Sequence, residues 1–163
     1  MLTRTMIATL LLLVLLSACG KPAVTPQTPP EIVYGEDVCE HCDMIINDAR
    51  FAAGLVIETA PERYEHRIFD DIGDMFAYVQ TMPDAGGTVV TYFVHDYSTE
   101  TWLDASQAHF VQADALLTPM GSGLVAFASH EEADAQAQAW HGAVMTFEAA
   151  QQQSVAEHRH AKH

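Results

Sequence analysis

The chain has 163 residues and carries 22 acidic against 7 basic side chains, a formal net charge of −15 with histidine neutral. So acidic a surface disfavours nucleic acid and anionic lipid headgroups as partners and suits solubility, cations or a basic partner. No internal repeat of solenoid length is present.

The N-terminus begins with Arg4 as its one positive charge, continues into an apolar run from Met6 to Leu16, and closes on Ser17-Ala18-Cys19. A basic start, an apolar core of about ten residues and small residues at a cut site make a secretory signal. The run is too short to span a bilayer, which takes about twenty residues. Small residues directly before a cysteine resemble the bacterial lipobox. That resemblance implies cleavage before Cys19, lipid on Cys19, and residues 1–18 as a lipoprotein signal peptide. Residues 19–30 continue as GKPAVTPQTPP after the cysteine, with four prolines and few large apolar side chains. Such a segment buries too little surface to fold by itself, and proline keeps it extended, so it reads as a tether. The folded domain is expected over 31–151, roughly 120 residues and enough for a core. Residues 152–163 read as a frayed, histidine-containing tail with His158, His160 and His163.

Within the domain, residues 38–46 carry Cys39-Glu40-His41-Cys42-Asp43-Met44 on a loop or strand edge. Residues 51–58 and 64–69 are apolar or alternating and predict strands. Asp70-Asp71 then offers side-chain acceptors for a helix whose apolar residues Ile72, Met75, Phe76 and Val79 recur at helical spacing. That helix ends before Met82-Pro83. Residues 88–94, built from β-branched and aromatic side chains, predict the strongest strand. A turn follows at 95–99, then a short strand carrying Trp102, a helical turn started by Asp104, and a strand at 109–111. Glycine and proline predict a loop at 118–123 around Met120. A strand at 124–128, a helix at 131–141 capped by Ser129, and a last strand at 144–147 complete the chain. The order predicts an α+β fold, a small antiparallel-sheet domain with two similar strand-helix halves.

With Cys19 assigned to lipid, only Cys39 and Cys42 remain for chemistry. A CxxC pair points to redox chemistry or metal binding more than to scaffolding, since so short a loop gains little from a bridge. There is no second CxxC and no distant Cys/His quartet, which argues against a structural zinc site. Thiolate and thioether are soft ligands that select Cu(I) over hard cations. If the backbone is extended there, Cys42 and Met44 face one side and His41 the other. Met120, between Pro119 and Gly121, is either a second soft donor or a plug for a core gap. Met75, Met82 and Met145 read as packing residues. Asp70 and Asp71 read as helix-capping groups, with Glu40, Asp43 and Asp74 solvated. No paired catalytic carboxylates, nucleophile elbow or phosphate loop is present, so the chain does not read as an enzyme. A thiol-disulfide oxidoreductase using Cys39 and Cys42 is the competing reading.

Five segments in order, Cys39-Glu40-His41-Cys42-Asp43-Met44-Ile45-Ile46, Phe69-Asp70-Asp71-Ile72-Gly73-Asp74-Met75, His95-Asp96-Tyr97, Trp102-Leu103-Asp104-Ala105 and Pro119-Met120-Gly121-Ser122-Gly123, resemble the NosL family of lipoproteins. The resemblance implies a membrane-tethered, extracytoplasmic Cu(I) chaperone serving nitrous oxide reductase or another cuproenzyme, in the periplasm or at the cell surface. It implies Cys42, Met44 and Met120 as copper ligands, with Cys39 as an extra thiol. His41, His95 and His109 are candidates to complete the site.

Overall fold

The computed structural model describes residues 23–83 and 86–161. The expected signal peptide, Cys19 and His163 lie outside them. Seven strands fall in two antiparallel sheets. The first, in the order β2-β1-β3-β4, comprises β1 (Ala53–Ala60), β2 (Arg63–Phe69), β3 (Thr88–His95) and β4 (Trp102–Asp104). The second, in the order β6-β5-β7, comprises β5 (His109–Gln112), β6 (Leu124–Phe127) and β7 (Ala143–Met145). Helix α1 (Ile72–Thr81) lies between β2 and β3 in the chain, and α2 (His130–Trp140) between β6 and β7. Each half is therefore β-β-α-β with its first strand in the middle of its sheet. The expected α+β fold with two similar strand-helix halves is what the chain forms.

Every strand and both of these helices form within a few residues of where the sequence pattern puts them. Ile72, Met75 and Phe76 of α1 are fully buried against Leu55, Ile57 and Phe69 of the first sheet and Phe110 of the second. Buried Phe51, Val111, Val125 and Phe127 form a second cluster with Ala133 and Ala137 of α2. Asp96 joins the halves. Its Oδ2 accepts from the Ala128 N–H at 2.7 Å and its Oδ1 from the N–H groups of Ser98 and Thr99. Burial opposes ionisation of this carboxyl, but the backbone donors outweigh it and hold its pKa below the ordinary value.

Two expectations are corrected. The sequence carries its last strand to 147 and predicts a frayed tail over 152–163, whereas β7 ends at Met145. Instead α3 runs over Phe147–Ala161. Thr146 starts it, with its Oγ1 accepting from the Ala149 N–H at 3.3 Å. Phe147 then packs on Phe76, Tyr92 and Phe110, and Ala150 is buried. A polar tail becomes helical because a few apolar anchors on one face have a core to meet.

The described part of the tether is not simply extended: it turns at 25–28, where the Thr28 N–H donates to Thr25 O at 3.0 Å, and it lies on the first sheet. The Thr91 hydroxyl donates to Pro26 O at 2.7 Å, and His66 Nε2 pairs with Thr28 O at 2.8 Å. Pro30 is buried over Gly54, where a Cβ would stand 2.4 Å from Pro30 Cγ. Only glycine on the central strand lets the strap seat. Gly54→Ala is expected to destabilise the domain by about 1–3 kcal/mol, the range for overpacking a filled site. A urea melt checks this, and an unchanged midpoint would mean the strap is not seated.

Candidate metal centre

Residues 37–46 form a hairpin rather than the extended edge on which the alternation argument depended. Val38 and Ile45 make an antiparallel bridge, and the Cys39 N–H donates to Met44 O at 2.8 Å. The turn between them requires a left-handed residue, and Asp43 adopts φ 60°. Aspartate tolerates that region better than most residues. The turn folds Cys39 and Cys42 inward over the start of α1 and leaves Met44 half-exposed.

Helix α1 supplies the floor. Asp71 is its N-cap, with backbone φ −145° and ψ 137°, and its Oδ1 accepts from the Gly73 N–H at 2.7 Å. Capping by Asp71 sets Asp70 just before the helix and Asp74 one turn on. The Cys39 thiol donates to Asp74 Oδ2 at 3.1 Å and the Cys42 thiol to Asp70 Oδ1 at 3.4 Å. One ligand atom from each of Cys39, Cys42, Asp70 and Asp74 falls within 4.8 Å of all the others. His41 joins them, with Nδ1 2.6 Å from Asp74 Oδ1. An extended segment would face His41 away from Cys42; the turn brings it round.

Asp70 and Asp74 are each 2% exposed, so the expectation that Asp74 is solvated and Asp70 a capping group does not hold. The sequence signal was present, since residues four apart across a helix start share a face. Asp71 took the capping role, which left Asp70 and Asp74 for another. Asp70 Oδ2 is buried with no hydrogen-bond partner among the described residues.

The electrostatics favour neutral thiols in the absence of a cation. Burial pushes Cys39 far above the ordinary thiol value, with the N–H groups of Cys42, Asp70 and His41 partly offsetting it. Burial also pushes Cys42 up to about 11, and the charges of Asp74 and Asp70 add to the rise. Asp70 is raised too, first by burial, then by Asp74 and Asp71. Cys39, Cys42 and Asp70, packed this closely, resist ionising together, and a bound cation would reverse that balance.

Met120 sits on its loop, half-exposed rather than plugging the core. Asp71 ties that loop to the floor: its Oδ2 accepts from the Thr118 hydroxyl at 2.6 Å and from the Met120 N–H at 3.0 Å. Gly73 packs so closely on Ser122 that a Cβ there would lie 2.5 Å from Ser122 Cβ. The cysteine hairpin and the methionine loop thus meet the same helix start through adjacent residues, Asp70 and Asp71.

The other candidates lie elsewhere. His95 is buried, with Nδ1 3.1 Å from Ala52 O and Nε2 3.3 Å from the Tyr34 hydroxyl, and it stacks on Trp102. Both its nitrogens have partners outside the cluster. His109 stacks on His130 with ring centroids 5.0 Å apart, on the second sheet. Met75 is fully buried core, while Met82 and Met145 are partly buried packing residues, as expected.

Comparison with known proteins bears on the whole arrangement. The family model NosL matches residues 30–155. The chain belongs to the NosL family. It is 28% identical over 142 residues to a protein of Stutzerimonas stutzeri named copper-binding lipoprotein NosL, a match covering 82% of this chain and 72% of that one. Its fold is similar to the crystal structure of the copper chaperone NosL from Shewanella denitrificans, with a TM-score of 0.62. That match has 21% identity and covers 76% of this chain and 96% of the other. The NosL resemblance read from the five segments is thereby borne out, and all five lie within residues 30–155.

Proposed function

We infer that this NosL-family chain is an extracytoplasmic Cu(I) chaperone, a binding protein without turnover. The observation that carries the reading is the pair of thiols folded over buried carboxylates, with two half-exposed methionines on the segments bordering them. Soft sulfur donors select Cu(I). Cys42, Met44 and Met120 are the proposed ligands and Cys39 is the additional thiol. His41 is the histidine nearest the thiols by partner, through Asp74, and is preferred over His95 and His109. The NosL relatives carry copper in their names, which supports the same cargo here.

Release works by ligand exchange. Half-exposed thioethers are neutral, need no deprotonation and can be displaced one at a time by a recipient's ligands. Nitrous oxide reductase, or another cuproenzyme, is the proposed recipient, from the family resemblance. Lipid on Cys19 is the proposed membrane anchor. Among the described residues no helix is long and apolar enough to cross a membrane.

The oxidoreductase alternative fits the geometry less well. A nucleophilic cysteine has its pKa lowered, commonly at a helix N-terminus. Here the pair sits in a hairpin and both thiols are raised.

The thiols also set a pH dependence. Copper binds thiolate, and Cys42 titrates only at about 11. Below that value each ionised thiol costs one proton, so Cu(I) affinity is expected to rise about tenfold per pH unit per thiol between pH 6 and 9. Proton release followed in weakly buffered solution counts the thiols. Copper binding with no proton released would remove the cysteines from the site.

A further inference from the structure

The apolar side chains left exposed are not scattered. Of the large ones exposed among the described residues, all but Val90 lie on residues 33–45 or 117–120. Val38 and Ile45 are bridge partners on the cysteine hairpin, beside Met44. Leu117, on the methionine loop, is 88% exposed. Val38, Met44 and Ile45 therefore lie on the hairpin that carries the thiols, and Leu117 and Met120 on the loop that Asp71 ties to the same helix start. Two of these five are proposed ligands; Val38, Ile45 and Leu117 have no role in holding an ion. Exposed apolar side chains clustered round a site mark contact with another molecule.

The charge around them says what kind. Glu31, Glu36, Glu40 and Asp43 are exposed on the hairpin segment, and Asp114 stands before Leu117. No lysine or arginine occurs between Lys21 and Arg50 or between Arg67 and Arg159. The three arginines of the domain are already paired, Arg50 with Asp48, Arg63 with Glu65, and Arg67 with Glu65 and Glu40. An apolar patch on segments this rich in acidic side chains and free of unpaired arginine repels an anionic bilayer and a second copy of itself alike. It complements an apolar patch rimmed by lysine and arginine.

The geometry points to this face, Val38, Ile45 and Leu117 with the acidic side chains of their segments, as the docking surface for a basic-rimmed protein that receives the ion. Docking there brings a partner to the hairpin that carries the thiols and Met44 and to the loop that carries Met120. Only the recipient's taking of copper rests on the function proposed above; the surface rests on exposure and charge.

The test places the photo-cross-linker p-benzoylphenylalanine at Val38 or Leu117 of the full-length chain in the producing cell, with Val90 as the control position. One protein adduct is expected from positions 38 and 117 and none from 90. The captured protein, purified, is expected to bind the copper-free chain with an affinity that falls about tenfold in Leu117→Ser. Binding should also weaken as salt rises from about 0.05 to 0.5 M. Leu117 is too exposed to matter for folding, and an unchanged thermal melt confirms that. Adducts to lipid or to a second copy, equal labelling at Val90, or salt-independent binding would each overturn the docking surface. A chain that docks its partner but fails to hold Cu(I) discards the copper reading alone. One that holds Cu(I) and gives no adduct discards the docking surface alone.

Discussion

Cys42→Ser is expected to lower Cu(I) affinity by at least about a hundredfold in competition against a Cu(I) chelator. The comparison is Met82→Leu, which exchanges one packing side chain for another of similar volume and should leave affinity unchanged. The size follows from rank. Groups that merely support a metal ligand are worth about 10–100-fold. A ligand removed outright costs more, and serine offers a hard, neutral oxygen where the soft ion needs thiolate. Cys42 is also only partly buried, so the substitution tests coordination more than folding. Equal affinities for the two variants would sink the assignment of Cys42.

Asp71→Ala is expected to damage both stability and binding. Its carboxylate accepts from the Gly73 N–H, the Thr118 hydroxyl and the Met120 N–H, and the residue is fully buried. Loss of the cap costs about 1 kcal/mol, and buried donors left unpaired add about 1–3 kcal/mol. A urea melt should therefore move by about 2–4 kcal/mol. Binding should suffer separately, because the Met120 loop loses its tie to the helix that carries Asp70 and Asp74. Asp71→Asn is the informative partner variant. Its side-chain oxygen can keep the cap while its amide meets the Met120 N–H with a donor. Chelator competition on the folded Asn variant should show weakened Cu(I) binding. Unchanged binding there would show that Met120 is not a ligand or is held by something else.

The elements were legible because their patterns are local. The β-branched run at 88–94, the apolar spacing from Ile72 to Val79 and the caps Asp71 and Ser129 each announce themselves within one turn or one strand. The corrected parts depend on partners distant in sequence. Helix α3 needs Phe76 and Phe110 to anchor Phe147, and the strap needs the space above Gly54. The cysteines stood out as the candidate centre because soft donors in a short spacing are rare. The carboxylates beneath them were not. Their burial depends on how the hairpin turns at Asp43, and a left-handed aspartate leaves no periodic trace. That same turn is why His41 joins the cluster against the expectation of an extended edge.

The strap over Gly54 has a consequence for reach. With lipid on Cys19, as proposed, the stretch between lipid and fold ends where Pro26 meets Thr91. Seven peptide links separate Cys19 from Pro26, at most about 25 Å when taut. The domain is then confined to a thin shell above the bilayer. For a recipient held at the same membrane, that confinement replaces a search through the whole compartment with one through a shallow layer, which raises the local concentration of each for the other. A weak, quickly reversible dock suffices at that concentration, and a cargo protein that lets go quickly can serve many recipients in turn.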